Sequence, residues 1–299
     1  MAHGVRNIND QTLFATAQTR PVTQLDFTQF SDFNNYQTYT LPVTSAGTEG
    51  AGFGVAASTA TIASTNSTTT TGLGGLTGPS SVISITTSST INNSDIGSVN
   101  THQLLLPGLP VPASGFVTKY EFETRIRTLA TIHSDSVRGT FRAGFMNLTY
   151  MNTAGDQGSS GVFFRYARSS VLTDTNWTIF WKNPLSGSNS TFDTGVAVSA
   201  STTYRMYLST EVNSAGTYTT TYKILNENTG TKTEGTASPS ATGHNTGEGF
   251  TTYGMGAAVV NCKAGLGETT TTTTVALYID YMGVRVRRPI SREILIGSI

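Results

Sequence analysis

The stretch that most constrains this chain is Val275-Ala276-Leu277-Tyr278-Ile279-Asp280-Tyr281-Met282-Gly283-Val284-Arg285-Val286-Arg287-Arg288. It is a long strand-like run of β-branched and aromatic residues. From Gly283 onward it alternates strictly, with Val284 and Val286 on one face and Arg285 and Arg287 on the other. A strand that finds its partners only after more than 270 residues implies an all-β body whose last strand returns to its centre.

The composition agrees with a body made of sheet surface and turns. Charged residues are 12% of the 299, and 18 Lys+Arg balance 18 Asp+Glu. Zero net charge argues against a duplex nucleic-acid binder, which needs a basic stripe to neutralise phosphates. It argues equally against docking on an anionic membrane. Thr makes up roughly a fifth of the chain and suits a pleated surface. With a single cysteine, Cys262, no intrachain disulfide can form. Its setting, Val259-Val260-Asn261-Cys262, reads as a strand carrying a small buried hydrophobe. Met1 to Ile8 hold no apolar core of signal-peptide length, so synthesis in a cytoplasm is expected.

Three segments divide the chain. Residues 1–24 are polar and aperiodic and read as an extended N-terminal arm. Residues 25–288 form the sandwich, and 289–299 form a short apolar tail bearing Ile290, Ile294, Leu295, Ile296 and Ile299. Within the sandwich, 44–80 is of low complexity and reads equally as linker or as short Thr/Ala strands joined by Gly turns. Strands are expected at 82–87, 103–106, 119–129, 138–147, 161–167, 177–181, 195–198, 203–211, 217–225, 254–261 and 275–287. The pair 203–211 and 217–225, separated by Val212-Asn213-Ser214-Ala215-Gly216, is a hairpin signal. No segment keeps a 3.6-residue apolar period for three turns, so helix should be scarce. Many short strands with turn punctuation mean a sandwich or barrel.

The order of these pieces resembles the concanavalin A-like jelly roll of many bacteriophage structural proteins. The likeness runs from Leu25-Asp26-Phe27 through Tyr120-Glu121-Phe122-Glu123-Thr124-Arg125-Ile126-Arg127 and Ala143-Gly144-Phe145. It continues with Gly161-Val162-Phe163-Phe164-Arg165-Tyr166, Trp177-Thr178-Ile179-Phe180-Trp181 and Asp193-Thr194-Gly195-Val196, and closes at Tyr278-Ile279-Asp280-Tyr281. The resemblance implies an all-β jelly-roll β-sandwich in a virion: a capsid decoration protein, or a head or tail fibre subunit. The chain is expected to assemble as a symmetric homo-oligomer, with a trimer favoured, and to have partners among major capsid or tail proteins.

The residues themselves offer one carboxylate pair to chemistry. Glu121 and Glu123, at i and i+2 on a strand, share a face, as catalytic carboxylates do in glycoside hydrolases on this jelly roll. Those enzymes resemble one another through Glu-x-Asp-x-x-Glu or Glu-x-Asp-x-Glu. Here the middle Asp is missing, and Arg125 and Arg127 follow, so pairing with neighbouring strands is the expectation. His3, His102, His133 and His244 are scattered and expected at surface or turn positions, without metal-ligand spacing. Asp156, Asp174 and Asp193 sit by turns, where Asp bonds its own backbone. Trp177, Trp181, Phe163, Phe164 and Tyr166 are expected mainly as core, with one of the adjacent Phe163 and Phe164 facing away from it. The sequence therefore assigns no catalytic residue, no cofactor and no metal. It predicts a non-enzymatic virion surface protein assembling through its termini. The first alternative is a glycan-binding adhesin or receptor-binding protein, and the second a glycosidase using Glu121 and Glu123.

Overall fold

The computed structural model describes residues 24–31, 40–41, 53–57, 60–67, 80–89, 95–101, 117–147, 161–182, 189–213, 217–239, 255–263 and 273–289. The arm before Gln24 and the tail after Pro289 lie outside them, as does the strand expected at 103–106. Among the described residues there is no helix, and sixteen strands run in chain order. They are β1 (Gln24–Ser31), β2 (Thr40–Leu41), β3 (Phe53–Ala57), β4 (Thr61–Ser67), β5 (Ser80–Thr86), β6 (Ile96–Thr101), β7 (Val117–Thr128) and β8 (Gly139–Asn147). There follow β9 (Gly161–Arg168), β10 (Asn176–Lys182), β11 (Asn189–Ala197), β12 (Thr203–Asn213), β13 (Tyr218–Asn226), β14 (Thr231–Ala237), β15 (Met255–Cys262) and β16 (Ala276–Pro289). The low-complexity region thus contributes strands at 53–57 and 61–67.

Two antiparallel sheets result. The nine-stranded sheet runs β14-β13-β12-β7-β16-β5-β4-β2, with β1 also paired to β16. The seven-stranded sheet runs β11-β10-β9-β8-β15-β6-β3. As expected, β16 sits at the centre: it pairs along one side with β7, and on the other with β5 and then β1.

Alternation decides what lies between the sheets. Tyr120, Phe122 and Ile126 of β7 enter the core, as do Tyr204, Met206 and Leu208 of β12. On β16 the phase changes. Leu277 and Ile279 point inward, the register then slips between Ile279 and Tyr281, and Met282 and Val284 point inward after it. Asp280 is the extra residue of a β-bulge. The Tyr281 carbonyl at this kink accepts a 2.8 Å hydrogen bond from the Thr124 hydroxyl.

The aromatic residues behave as the period-2 rule requires. Phe164 and Tyr166 face the core, whereas Phe163 lies on the opposite side of its sheet in a second cluster with Phe180 and Met146. Trp177 packs edge-on to Tyr204, centroids 5.7 Å apart, and Trp181 donates its indole N–H to Thr220 Oγ1 at 3.0 Å. Thr220 and Thr210 share a further buried bond of 3.0 Å, so the indole's polar atom is satisfied inside the core. Gly144 and Gly161, both at positive φ, let β8 and β9 approach closely. A Cβ on Gly144 would stand 2.7 Å from the Phe163 Cα. Cys262 is buried, as read from its neighbours.

Candidate functional site on the outer face of the nine-stranded sheet

The odd-numbered residues of β7 point away from the core, and the sheet aligns them with polar residues of four neighbours. One row across the strands reads Gly283, Glu123, Tyr207, Lys223, Glu234. Beside it lie Arg285, Glu121, Ser209, Thr221, Thr236, and on the other side Tyr281, Arg125, Arg205, Leu225, Lys232. The face is graded. Glu121, Glu123, Arg125, Ser209, Tyr281 and Arg285 are buried, while Arg205, Tyr207, Thr221 and Lys223 are half-exposed.

Glu121 and Glu123 share this face, as their spacing requires, and each is engaged by a tyrosine. Tyr207 donates to Glu121 Oε1 at 3.0 Å, and Tyr281 donates to Glu123 Oε1 at 2.7 Å. Gly283, directly opposite Glu123, brings no side chain, which leaves that carboxylate to the hydroxyl one diagonal away. Burial raises the Glu123 pKa, against the Tyr281 hydrogen bond and the Arg205 charge, which lower it. Tyr281 is held well above the ordinary phenol value by burial and by the Glu123 charge, so it stays protonated as a donor.

Arg125 is the other anchor. Its Nη1 meets Asp280 at 2.9 Å, and its Nε and Nη2 donate to Glu227 Oε1 and Oε2 at 3.0 and 2.6 Å, a bidentate pair. Burial works against its charge, but Glu227 and Asp280 more than offset this and raise its pKa. The bulge makes the arrangement possible, because it turns both Asp280 and Tyr281 toward this face. At the half-exposed side, Lys223 Nζ stands 5.8 Å from the Tyr207 ring centroid and Arg205 lies 3.6 Å from Glu227. The expected pairing of the Glu, Glu, Arg pattern with neighbouring strands is what the side chains do. Their tyrosine, arginine and acidic partners were not singled out in the sequence. Alternation within 203–211 already put Arg205, Tyr207 and Ser209 on one polar face, but nothing local announced the bulge.

The other candidates scatter. His133 is fully buried between the sheets, which corrects the expectation of a surface or turn position. Its ring lies 4.6 Å from that of Phe141, and its Nε2 is 2.9 Å from Asn261 Oδ1. Burial lowers its pKa to about 4, the Lys263 charge adding to the effect. Asp174 accepts from the Ala167 N–H and is paired with the Arg165 guanidinium, while Asp193, expected by a turn, lies within β11 and accepts from the Gly195 N–H. His3, His102, His244 and Asp156 lie outside the described residues. Among the described residues no group of three or more His, Cys, Asp or Glu could hold a metal ion.

The fold is an all-β sandwich of two antiparallel sheets, as the jelly-roll expectation requires. No family model matches the chain, and no curated protein matches its sequence. Several solved structures are similar to it over most of their length. A protein of unknown function from Shewanella oneidensis MR-1 is 15% identical, with a TM-score of 0.48 over 92% of this chain and 91% of that one. The endo-beta-1,4-glucuronan lyase of Trichoderma reesei is 13% identical, TM-score 0.48, over 89% and 95%. Basic winged bean lectin is 10% identical, TM-score 0.49, over 88% and 98%. Nothing among them indicates a phage protein. One expectation is corrected outright. With a lyase among the structures of this layout, the chain cannot be set down as non-enzymatic.

Proposed function

We propose that this chain is a glycan-binding β-sandwich that takes polysaccharide across the strands of its nine-stranded sheet. The observation that carries the reading is the in-register row Glu123, Tyr207, Lys223, Glu234, which passes from buried to exposed. Strands lie about 4.8 Å apart, so the row offers a donor or acceptor at each step over roughly 14 Å. Half-exposed Tyr207 supplies a phenol within it, and half-exposed Arg205 a guanidinium beside it. Sugars are neutral or weakly charged polyols, and a face of alternating donors and acceptors with little net charge matches them better than it matches phosphates. The lectin and lyase layouts agree with a carbohydrate ligand without identifying one. The test is a glycan array followed by affinity electrophoresis of the wild type, Arg205→Ala and Tyr207→Phe. Saturable binding weakened by both variants supports the reading. Absence of binding by folded protein, or binding indifferent to both, overturns it.

A second reading, glycoside processing, is favoured by one observation: burial raises the pKa of Glu123, and a raised carboxyl suits a general acid. Turnover of a bound polysaccharide that disappears in Glu123→Gln while binding persists would support it, and unchanged turnover would remove it.

Placement on a virion surface, self-assembly and partners among capsid or tail proteins are proposed on the resemblance of the sequence alone. The mass of the full-length protein beside versions lacking 1–24 or 289–299 tests assembly through the termini. A stable oligomer lost on removing either end supports it, and a monomer throughout refutes it.

A further inference from the structure

Every open sheet has edges, and an edge strand offers a row of unpaired N–H and C=O groups to any chain that can align with it. The two sheets end on the same side of the sandwich, in β11 and β14, and the two edges differ. β11 is interrupted: its register with β10 shifts between Asn176 and Thr178, and Gly195 adopts a φ of 72°. Its one charged residue is Asp193. β14 is regular over its whole length, pairing with β13 from Thr220↔Ala237 to Asn226↔Thr231 without a bulge. No proline or bulge blunts it, and among the described residues no strand covers its far side.

We propose that the β14 edge is a two-fold interface that takes the same strand of a second copy of this chain. The charges on the strand are self-complementary. Lys232 and Glu234 both point to the outer face, both are exposed, they pair with each other at 2.9 Å along the strand, and they flank Thr233 symmetrically. Antiparallel pairing about Thr233 sets Lys232 of each copy opposite Glu234 of the other, and Thr233 opposite its own equivalent on the inner face. Lys223 already stands 3.9 Å from Glu234 on the adjoining strand and Lys232 of the same strand 2.9 Å from it, so each carboxylate would lie among three ammonium groups once the second copy adds its Lys232. Edge lysines ordinarily guard against such pairing by repelling like neighbours. Here each lysine would meet an acid, and the isologous arrangement closes after two copies instead of growing a fibre. Any register displaced by one residue would turn Lys232 and Glu234 to opposite faces from their partners, so the alternation also fixes alignment.

The interface does not depend on the glycan reading, and its test measures mass alone. Sedimentation equilibrium of the full chain, from micromolar to several hundred micromolar, would compare wild type with Lys232→Glu, Glu234→Lys and the double exchange. Each single reversal replaces two attractive cross-strand pairs by two like-charge pairs, and about a tenfold or greater loss of self-affinity is expected. The double exchange recreates opposite charges across the axis and should restore dimerisation. Unchanged circular dichroism and melting temperature show that the variants are folded. A wild type that stays monomeric across this range overturns the proposal. So does any assembly that both single reversals leave untouched, or a double exchange that fails to recover.

Discussion

His133 makes the stability of this sandwich sensitive to mild acid, and by an amount the structure lets one work out. The Asn261 side chain donates from Nδ2 to the carbonyls of Ile85 and Val275, each at 2.9 Å, so its Oδ1 must be the acceptor facing His133. The imidazole therefore carries its proton on Nε2 and is neutral. Ile85 belongs to the nine-stranded sheet, Val275 immediately precedes its strand β16, and Asn261 belongs to the seven-stranded sheet, so this relay ties the two sheets together at one end. Around it stand buried Lys263, whose ammonium donates to Ser88 and Thr273 carbonyls, Asp95, which accepts from the Ser88 N–H, and Tyr166, whose hydroxyl donates to the His133 carbonyl. Asp135, nearby, is paired with Arg168. The folded pKa is about 4, against 6.5 for an unperturbed histidine. Between these values the unfolded chain holds a proton that the folded chain refuses. The contribution is therefore fully present above about pH 6.5 and lost as pH falls to about 4, and at 1.36 kcal/mol per unit it amounts to roughly 3 kcal/mol. His133→Gln keeps an N–H donor near the Nε2 position and does not titrate. Urea unfolding of both proteins at pH 7.5, 6, 5 and 4 gives the comparison, because the carboxylates are common to both and cancel. Wild type should lose about 3 kcal/mol more than the variant across this range. Parallel pH profiles would refute the reasoning.

Other perturbations probe different parts of the molecule. A Cβ on Gly139 would collide with the His133 ring and stand 2.7 Å from the Cys262 carbonyl, so Gly139→Ala should cost more than about 2 kcal/mol in denaturant unfolding, or prevent folding. Thr220→Val removes the acceptor of the Trp181 indole and the partner of Thr210; a loss of about 1–3 kcal/mol is expected by thermal melting, and a smaller effect would mean the core relaxes around it. Asp280→Asn takes one carboxylate from buried Arg125 but leaves the bidentate Glu227 pair, so it should destabilise less than Glu227→Gln, read from urea midpoints at pH 7.

Much of this architecture could be read before any coordinates, and the reasons are physical. Alternation over 119–128 and 203–211 fixed which side chains are buried, because one face of each strand meets the opposite sheet. The hairpin of β12 and β13 followed from its turn, and the central place of β16 from its length and apolar character. What escaped was non-periodic or non-local. The bulge at Asp280 appears only against β7, and β14, with the sequence Thr231-Lys232-Thr233-Glu234-Gly235-Thr236-Ala237, has no apolar face to mark it as a strand. His133 sits in an irregular segment, where burial depends on what folds over it. In the candidate site, the shared face of Glu121 and Glu123 was legible, while their tyrosine partners come from strands 86 and 158 residues away.

The central position of β16 also bears on how the protein is made. While a ribosome is still short of residue 276, β7 and β5 have been synthesised but the strand that joins them does not yet exist. The nine-stranded sheet cannot close on the emerging chain, and two long strand edges must wait, exposed, for the last piece. A product truncated anywhere before that strand keeps both edges open. It cannot pass for a finished molecule, and premature termination yields something for a chaperone or protease to remove instead of a shortened but functional protein.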